Sequence, residues 1–110
     1  MKSLNKKVAV VTGAGSGIGR AIGLELAHHN CVLALSDINE TALQATKQLI
    51  LDGLPNTTIH LQVLDVANKQ AVFEYADKVN SDLGGVDLII NNAGVALSSG
   101  VDETKREDFE

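Results

Sequence analysis

Hydrophobic positions along this chain follow two rhythms that alternate. Short apolar-rich segments, continuous in the first, predict strands at Lys7–Thr12, Cys31–Ser36, Thr58–Leu64 and Val86–Asn91. Between them, apolar residues recur every three or four positions, which predicts helices over Ile18–His29, Glu40–Leu51 and from Asn68 through Leu83. The first helix is apolar on most faces (Ile18, Ala21, Ile22, Leu24, Leu26, Ala27), so it is expected to be well buried. The third carries a stripe of Val72, Ala76, Val79 and Leu83.

The boundaries have their own chemistry. Asn39 and Asn68 stand where N-caps are needed. His28 and His29 fall in the last turn of the first helix, where cations complement the dipole, and Asn30 can take a left-handed C-cap. Gly53, Pro55 and Asn56 mark one turn and Gly84-Gly85 another. His60 reads as a packed or edge-strand residue. Strands alternating with amphipathic helices imply right-handed crossovers and a parallel sheet. Thr104-Lys105-Arg106-Glu107 is a capping box that announces a further helix, and the sequence stops three residues later. The chain therefore reads as one domain, residues 1–110, cut at the start of an element.

Composition narrows the picture only slightly. Phe73, Phe109 and Tyr75 are the only aromatics, so the core must be aliphatic, as suits a buried parallel sheet. The net charge is -5 and no basic cluster occurs beyond Lys6-Lys7, which argues against nucleic acid or an anionic membrane as a partner. The apolar runs are too short to span a bilayer, and the first residues lack the apolar stretch of a signal peptide. A lone cysteine, Cys31, leaves no internal disulfide, fits a reducing cytoplasm and reads as a small buried residue at a strand start. No metal-ligand spacing stands out.

The candidate chemistry lies at Thr12-Gly13-Ala14-Gly15-Ser16-Gly17-Ile18-Gly19, between an apolar strand and a helix. A helix start has amides without partners and a positive dipole end, which together suit a diphosphate. Gly13 allows the tight exit from the strand, Gly17 allows close approach of phosphate, and Gly19 lets the helix pack on the sheet. Ser16 and Ile18 would offer backbone N–H groups. A Walker loop would need Gly-Lys-Ser/Thr where this chain has Gly-Ile-Gly-Arg. The G-x-G-x-x-G fingerprint fits in no register, whereas T-G-x-x-x-G-x-G does. Arg20 reads as solvated or paired with an acid. Asp37, 18 positions after Gly19, can accept hydrogen bonds from both adenosine ribose hydroxyls and would repel a 2′-phosphate.

With Asp65-Val66 at the end of the third strand and Asn91-Asn92-Ala93-Gly94 at the end of the fourth, the sequence resembles the N-terminal half of the classical short-chain dehydrogenase/reductase family over nearly its whole length. The resemblance implies an α/β fold with a Rossmann-type doubly wound parallel sheet, incomplete here at four strands, three helices and a helix start. It implies an NAD(P)-dependent oxidoreductase acting on an alcohol or carbonyl. Members preferring NADP usually carry a basic residue at the positions of Ser16 or Ile38, so NAD is the expected cofactor. Asp65 would take the adenine amine and Val66 pack on its ring. Asn91 would brace the sheet, while Asn92, Ala93 and Gly94 would border the ribose.

The family's catalytic Ser, Tyr, Lys and Asn all follow N-N-A-G, so no catalytic residue is expected in this chain. Tyr75 with Lys78 gives Y-x-x-K, not Y-x-x-x-K, and reads as a surface-helix tyrosine; Ser98 and Ser99 come too early. In the family's strand order the fourth strand would be an exposed apolar edge here, so the isolated 110-residue chain is expected to be unstable or to aggregate, and to be inactive. The full-length protein is expected to be a cytoplasmic homodimer or homotetramer. The competing reading is a non-catalytic dinucleotide-binding module. A methyltransferase using S-adenosylmethionine leaves N-N-A-G and the third motif glycine unexplained.

Overall fold

The computed structural model describes residues 3–92. Its elements are β1 (Val8–Thr12), α1 (Gly17–His28), β2 (Val32–Asp37), α2 (Glu40–Gly53), β3 (Ile59–Val63), α3 (Lys69–Leu83) and β4 (Leu88–Asn91). The four strands form one parallel sheet in the order β3-β2-β1-β4. β1 is central and every one of its residues is buried, which is why its sequence is an unbroken apolar run.

The pleat sends alternate residues to opposite layers. Ala9, Val11, Leu33 and Leu35 meet Leu26 and Ala27 of α1 and Leu43 and Ile50 of α2. Val8, Val10 and Ala34 meet Tyr75 and Val79 of α3. Helices thus cover both faces, as the alternating rhythm predicts. Register then sets the site: Thr12 pairs with Ser36 on one side and Asn91 on the other. The next residues along, Gly13, Asp37 (the last of β2, paired with Val63) and Asn92, therefore reach the same edge of the sheet.

The local signals act as expected. Asn39 accepts the Ala42 N–H and Asn68 the Ala71 N–H, both at 3.0 Å. Asn30 has φ 62 and Gly84 φ 78, the left-handed geometry of chain reversals after a helix. β4 begins two residues later than the apolar run suggests, because the Asp87 carboxylate takes the Val8 N–H at 2.8 Å where a ladder bond would otherwise run. β4 pairs with β1 alone among the described residues and leaves Ile89 67% exposed. His60 is exposed on the outer strand β3. Cys31 is buried, and burial, with Asp87 nearby, pushes its thiol pKa up. No helix of the described residues is long and apolar enough to cross a membrane. The capping box at Thr104–Glu107, Ala93, Gly94, Ser98 and Ser99 lie outside the described residues.

Two expectations fail. α1 is not buried on most faces: Ile18 is 65% exposed, Ala21 is exposed, and Ile22 and Leu24 are half-buried. The helix meets the sheet through Gly19, Gly23, Leu26 and Ala27, so its inner stripe is made of small residues that an apolar count undervalues. Tyr75 is not a surface residue: it is 8% exposed while Ala76 is exposed. Steps of three, four and four from Val72 reach Tyr75, Val79 and Leu83, an equally helical stripe with the larger side chain inside.

The Tyr75 hydroxyl is buried with no hydrogen-bond partner among the described residues, and burial pushes its pKa up to about 12. The neutral phenol is thus favoured by the fold. The stability this represents is complete below the unfolded value near 10 and is lost as pH rises towards the folded value. We expect urea unfolding of Tyr75→Phe to show stability within about 1 kcal/mol of the parent or better at pH 8. Above pH 10 the variant should lose less stability than the parent. Identical decline in both proteins would contradict this placement of the hydroxyl.

Candidate functional site

The segment joining β1 to α1 passes over the carboxyl edge of the sheet, and its backbone is held from several sides. The Ala14 N–H donates to the Ser36 carbonyl at 2.9 Å. The Gly15 N–H donates to Asp37 Oδ2 at 2.7 Å. The Ala14 carbonyl accepts from the Thr46 hydroxyl at 2.8 Å, and the Gly15 carbonyl from the Arg20 guanidinium at 2.5 Å. The Gly13 carbonyl accepts from Asn92 Nδ2 at 3.2 Å.

The start of α1 is treated differently. α2 and α3 are capped by asparagine side chains, whereas Ser16 makes no side-chain cap bond. Ser16, Gly17 and Ile18 are all exposed. Gly17 has φ 58, and a Cβ at this position would meet nothing within 4 Å. Open space therefore lies before the first amides of a helix of 12 residues, at its positive end. Gly19 is the opposite case. A Cβ there would collide with the Gly13 carbonyl oxygen and lie 2.7 Å from Asn92 Nδ2. Without a side chain at 19, the helix start seats directly on the ends of β1 and β4.

Asp37 is half-buried beside this turn. Its Oδ1 accepts the Asn39 N–H at 3.0 Å, so each oxygen holds one backbone amide and keeps capacity for a further donor. Asp65 is exposed at the end of β3, where its Oδ1 accepts the Ala67 N–H at 2.9 Å; Val66 beside it is half-buried. Asn91 accepts the Thr12 hydroxyl at 2.9 Å and so ties β4 to β1. Asn92 is buried, with its amide directed to the Gly13 carbonyl.

Gly13, Ser16, Gly17, Ile18, Gly19, Asp37 and Asn92 thus converge on one turn, with Asp65 and Val66 at the same sheet edge two strands away. Arg20 packs beside this turn, although its sequence position suggests a solvated or acid-paired residue. It is half-buried, forms no ion pair among the described residues, and bonds to Gly15, Ala42 and Thr46. Thr46 is also unanticipated. The signal for it is a polar residue inside the buried stripe Leu43, Thr46, Ile50 of α2. Among the described residues no three His, Cys, Asp or Glu side chains could together hold a metal ion.

The arrangement defines an α/β unit with an exposed helix start, lacking a side-chain cap, where the connections from the sheet diverge, β1 leading to one side and β4 lying on the other. The chain belongs to the short-chain dehydrogenase family, whose profile matches residues 7–110. It is 42% identical over its whole length to SadH of Mycobacterium tuberculosis, assigned as an oxidoreductase, and spans 39% of that protein. It is 35% identical to human estradiol 17-beta-dehydrogenase 11 over 99% of the chain and 36% of that protein. A short-chain dehydrogenase/reductase from Burkholderia phymatum, solved in complex with NAD, superposes with a TM-score of 0.73 at 35% identity, over 81% of this chain and 31% of that one. The chain therefore spans well under half the length of these relatives.

The two glycines at the helix start should respond differently to alanine. Gly19→Ala forces α1 off the strand ends and should destabilise the protein by about 1–3 kcal/mol, as overpacking does. In the dinucleotide-binding function proposed below, it should also weaken NADH binding at least tenfold, read by fluorescence titration. Gly17→Ala meets no atom and should cost about 1–2 kcal/mol through left-handed strain alone. A Gly19→Ala protein with parental stability and affinity would contradict the close seating.

Proposed function

We propose that this chain is the N-terminal, NAD-binding part of a short-chain dehydrogenase/reductase domain that transfers a hydride between nicotinamide and an alcohol or carbonyl substrate. The residues on hand fit a dinucleotide. Gly13, Ser16, Gly17, Ile18 and Gly19 would line the diphosphate, with the exposed amides of α1 as donors. Asp37 would accept the adenosine ribose hydroxyls with the oxygen capacity left beyond Gly15 and Asn39. Asp65 and Val66 would hold the adenine, and Asn92, Ala93 and Gly94 would border the ribose. When bound, the dinucleotide supplies the hydride donor or acceptor. The chain's own contribution is to fix the phosphates and orient the adenosine half. The groups that bind and protonate substrate are proposed to follow N-N-A-G in the full-length protein, which we propose to be a cytoplasmic homodimer or homotetramer.

The observation that carries the reading of NAD over NADP is the position of Asp37. Its carboxylate lies 2.7 Å from the Gly15 amide, at the rim of the turn. A 2′-phosphate on the neighbouring ribose would bring like charges together, whereas two hydroxyls would meet two acceptors. Neither Ser16 nor Ile38 offers a compensating cation.

NADH should bind the full-length protein at least about tenfold more tightly than NADPH, given about 1.5–3 kcal/mol per charged hydrogen bond. Asp37→Asn should narrow that ratio. Equal or reversed affinities would remove the assignment of NAD. Tight binding without turnover on any alcohol or carbonyl would instead favour a non-catalytic dinucleotide-binding module.

A further inference from the structure

The turn between β1 and α1 is held in part by two side chains, the half-buried Arg20 and the fully buried Thr46. Thr46 lies on α2, 32 residues from Ala14 in sequence, and is fully buried. A hydroxyl has one proton to donate, and the arrangement decides where it goes. Arg20 Nε donates to Thr46 Oγ1 at 2.9 Å, so the threonine oxygen is an acceptor there. Its own proton is free for a carbonyl, and Ala14 at 2.8 Å is nearer than Ala42 at 3.3 Å. Arg20 also donates through one terminal nitrogen to the Gly15 carbonyl and, at 3.3 Å, to the Ala42 carbonyl. A relay thus runs from α2 through Thr46 and Arg20 to two consecutive carbonyls of the glycine turn.

Gly15 is gripped at both polar groups, its N–H by Asp37 and its carbonyl by Arg20. The very next amides, from Ser16 onward, are the ones left for an anion. A turn with glycines at 13, 15 and 17 would otherwise sample many conformations, and ordering it would count against any ligand that required it ordered. The guanidinium meets no carboxylate among the described residues, so its charge is also left to favour an anion at the adjoining helix start.

We propose that Arg20 and Thr46 are a positioning pair for the cofactor. They fix the Ala14–Gly15 backbone so that the amides of Ser16, Gly17 and Ile18 are set for the diphosphate before it arrives. This makes dinucleotide affinity depend on α2, a helix that supplies no contact to the cofactor in the proposed function. The inference rests on the dinucleotide-binding reading above.

Thr46→Val keeps the shape and removes the hydroxyl; Thr46→Ser restores it. In the full-length protein, Thr46→Val and Arg20→Met should each raise the Kd for NADH about tenfold. The turnover rate at saturating dinucleotide should stay within about twofold of the parent. Thr46→Ser should bind within about twofold of the parent. The double variant should be little worse than the weaker single variant, since both act through one relay. Arg20→Lys keeps the charge but cannot fork to both oxygens; it should also bind more weakly and covers the case in which Arg20→Met fails to fold. A ligand-free readout runs alongside: amide exchange at residues 13–18 should quicken in Thr46→Val and not in Thr46→Ser.

If Thr46→Val lowers the melting temperature while leaving the Kd and the exchange of residues 13–18 unchanged, the pair is merely structural and the proposal falls. Failure of Thr46→Ser to rescue overturns it as well. If the parent binds neither NADH nor NADPH, the dinucleotide reading falls and the positioning role goes with it; binding by the parent with no loss in Thr46→Val removes the positioning role alone.

Discussion

The seating of Gly19 on the Gly13 carbonyl is the contact on which the rest of the site depends. No atom larger than hydrogen fits between the first turn of α1 and the end of β1. That closeness fixes the direction of the helix axis relative to the sheet, and with it the direction of the first amides. It also brings Asn92, at the far end of β4, within reach of the same carbonyl. A wider seat would leave the helix start pointing elsewhere, and the strand ends would no longer share one rim. The small inner stripe of α1, Gly19, Gly23 and Ala27, continues the same constraint along the helix.

From that seat follows a division of labour within one short turn. Buried backbone groups must find partners, and here they are met by a strand carbonyl, a carboxylate, a hydroxyl, a guanidinium and an amide from four different elements. The two helices on one face of the sheet and the strands flanking β1 therefore also contribute to the shape of the turn. The amides that escape this satisfaction lie together at the exposed helix start. The selectivity is geometric: groups facing the protein are used, and groups facing out are left available.

What could be read in the sequence was what short-range physics decides. The caps at Asn39 and Asn68 involve residues three apart, and the left-handed Asn30 follows from its own backbone. The glycine turn, Asp37 and the strand ends were legible because parallel topology converts strand termini into a common edge. Tyr75 was misplaced because two residues one step apart on α3 satisfy the helical period equally well, and periodicity alone does not say which faces inward. Ile18 was misplaced for a related reason: hydrophobicity does not reveal that a helix meets its sheet through glycine. Arg20 and Thr46 are 26 residues apart, and their bond exists only because α1 and α2 lie side by side on one face of the sheet. No local pattern contains that fact; only the polar break in the α2 stripe hints that something must meet Thr46.

Under the proposed function, the double engagement of Asp37 would tie cofactor choice to the shape of the turn. In the proposed function the carboxylate reads the ribose, yet the same group holds the Gly15 amide and the Asn39 amide. Replacing it with a small neutral residue would relieve the repulsion of a 2′-phosphate, but would also release Gly15 from one side while Arg20 still pulls on its carbonyl from the other. Asparagine keeps an acceptor for Gly15 and loses only the charge. Alanine or serine at 37 removes charge and anchor together, or offers an oxygen on a shorter arm. Cofactor preference and turn order are therefore not independent variables at this position. A route from NAD to NADP would have to add a cation near Ser16 or Ile38 and also supply a new acceptor for the Gly15 amide, because a phosphate-binding turn that is free to move gives up the preorganisation that makes it bind phosphate.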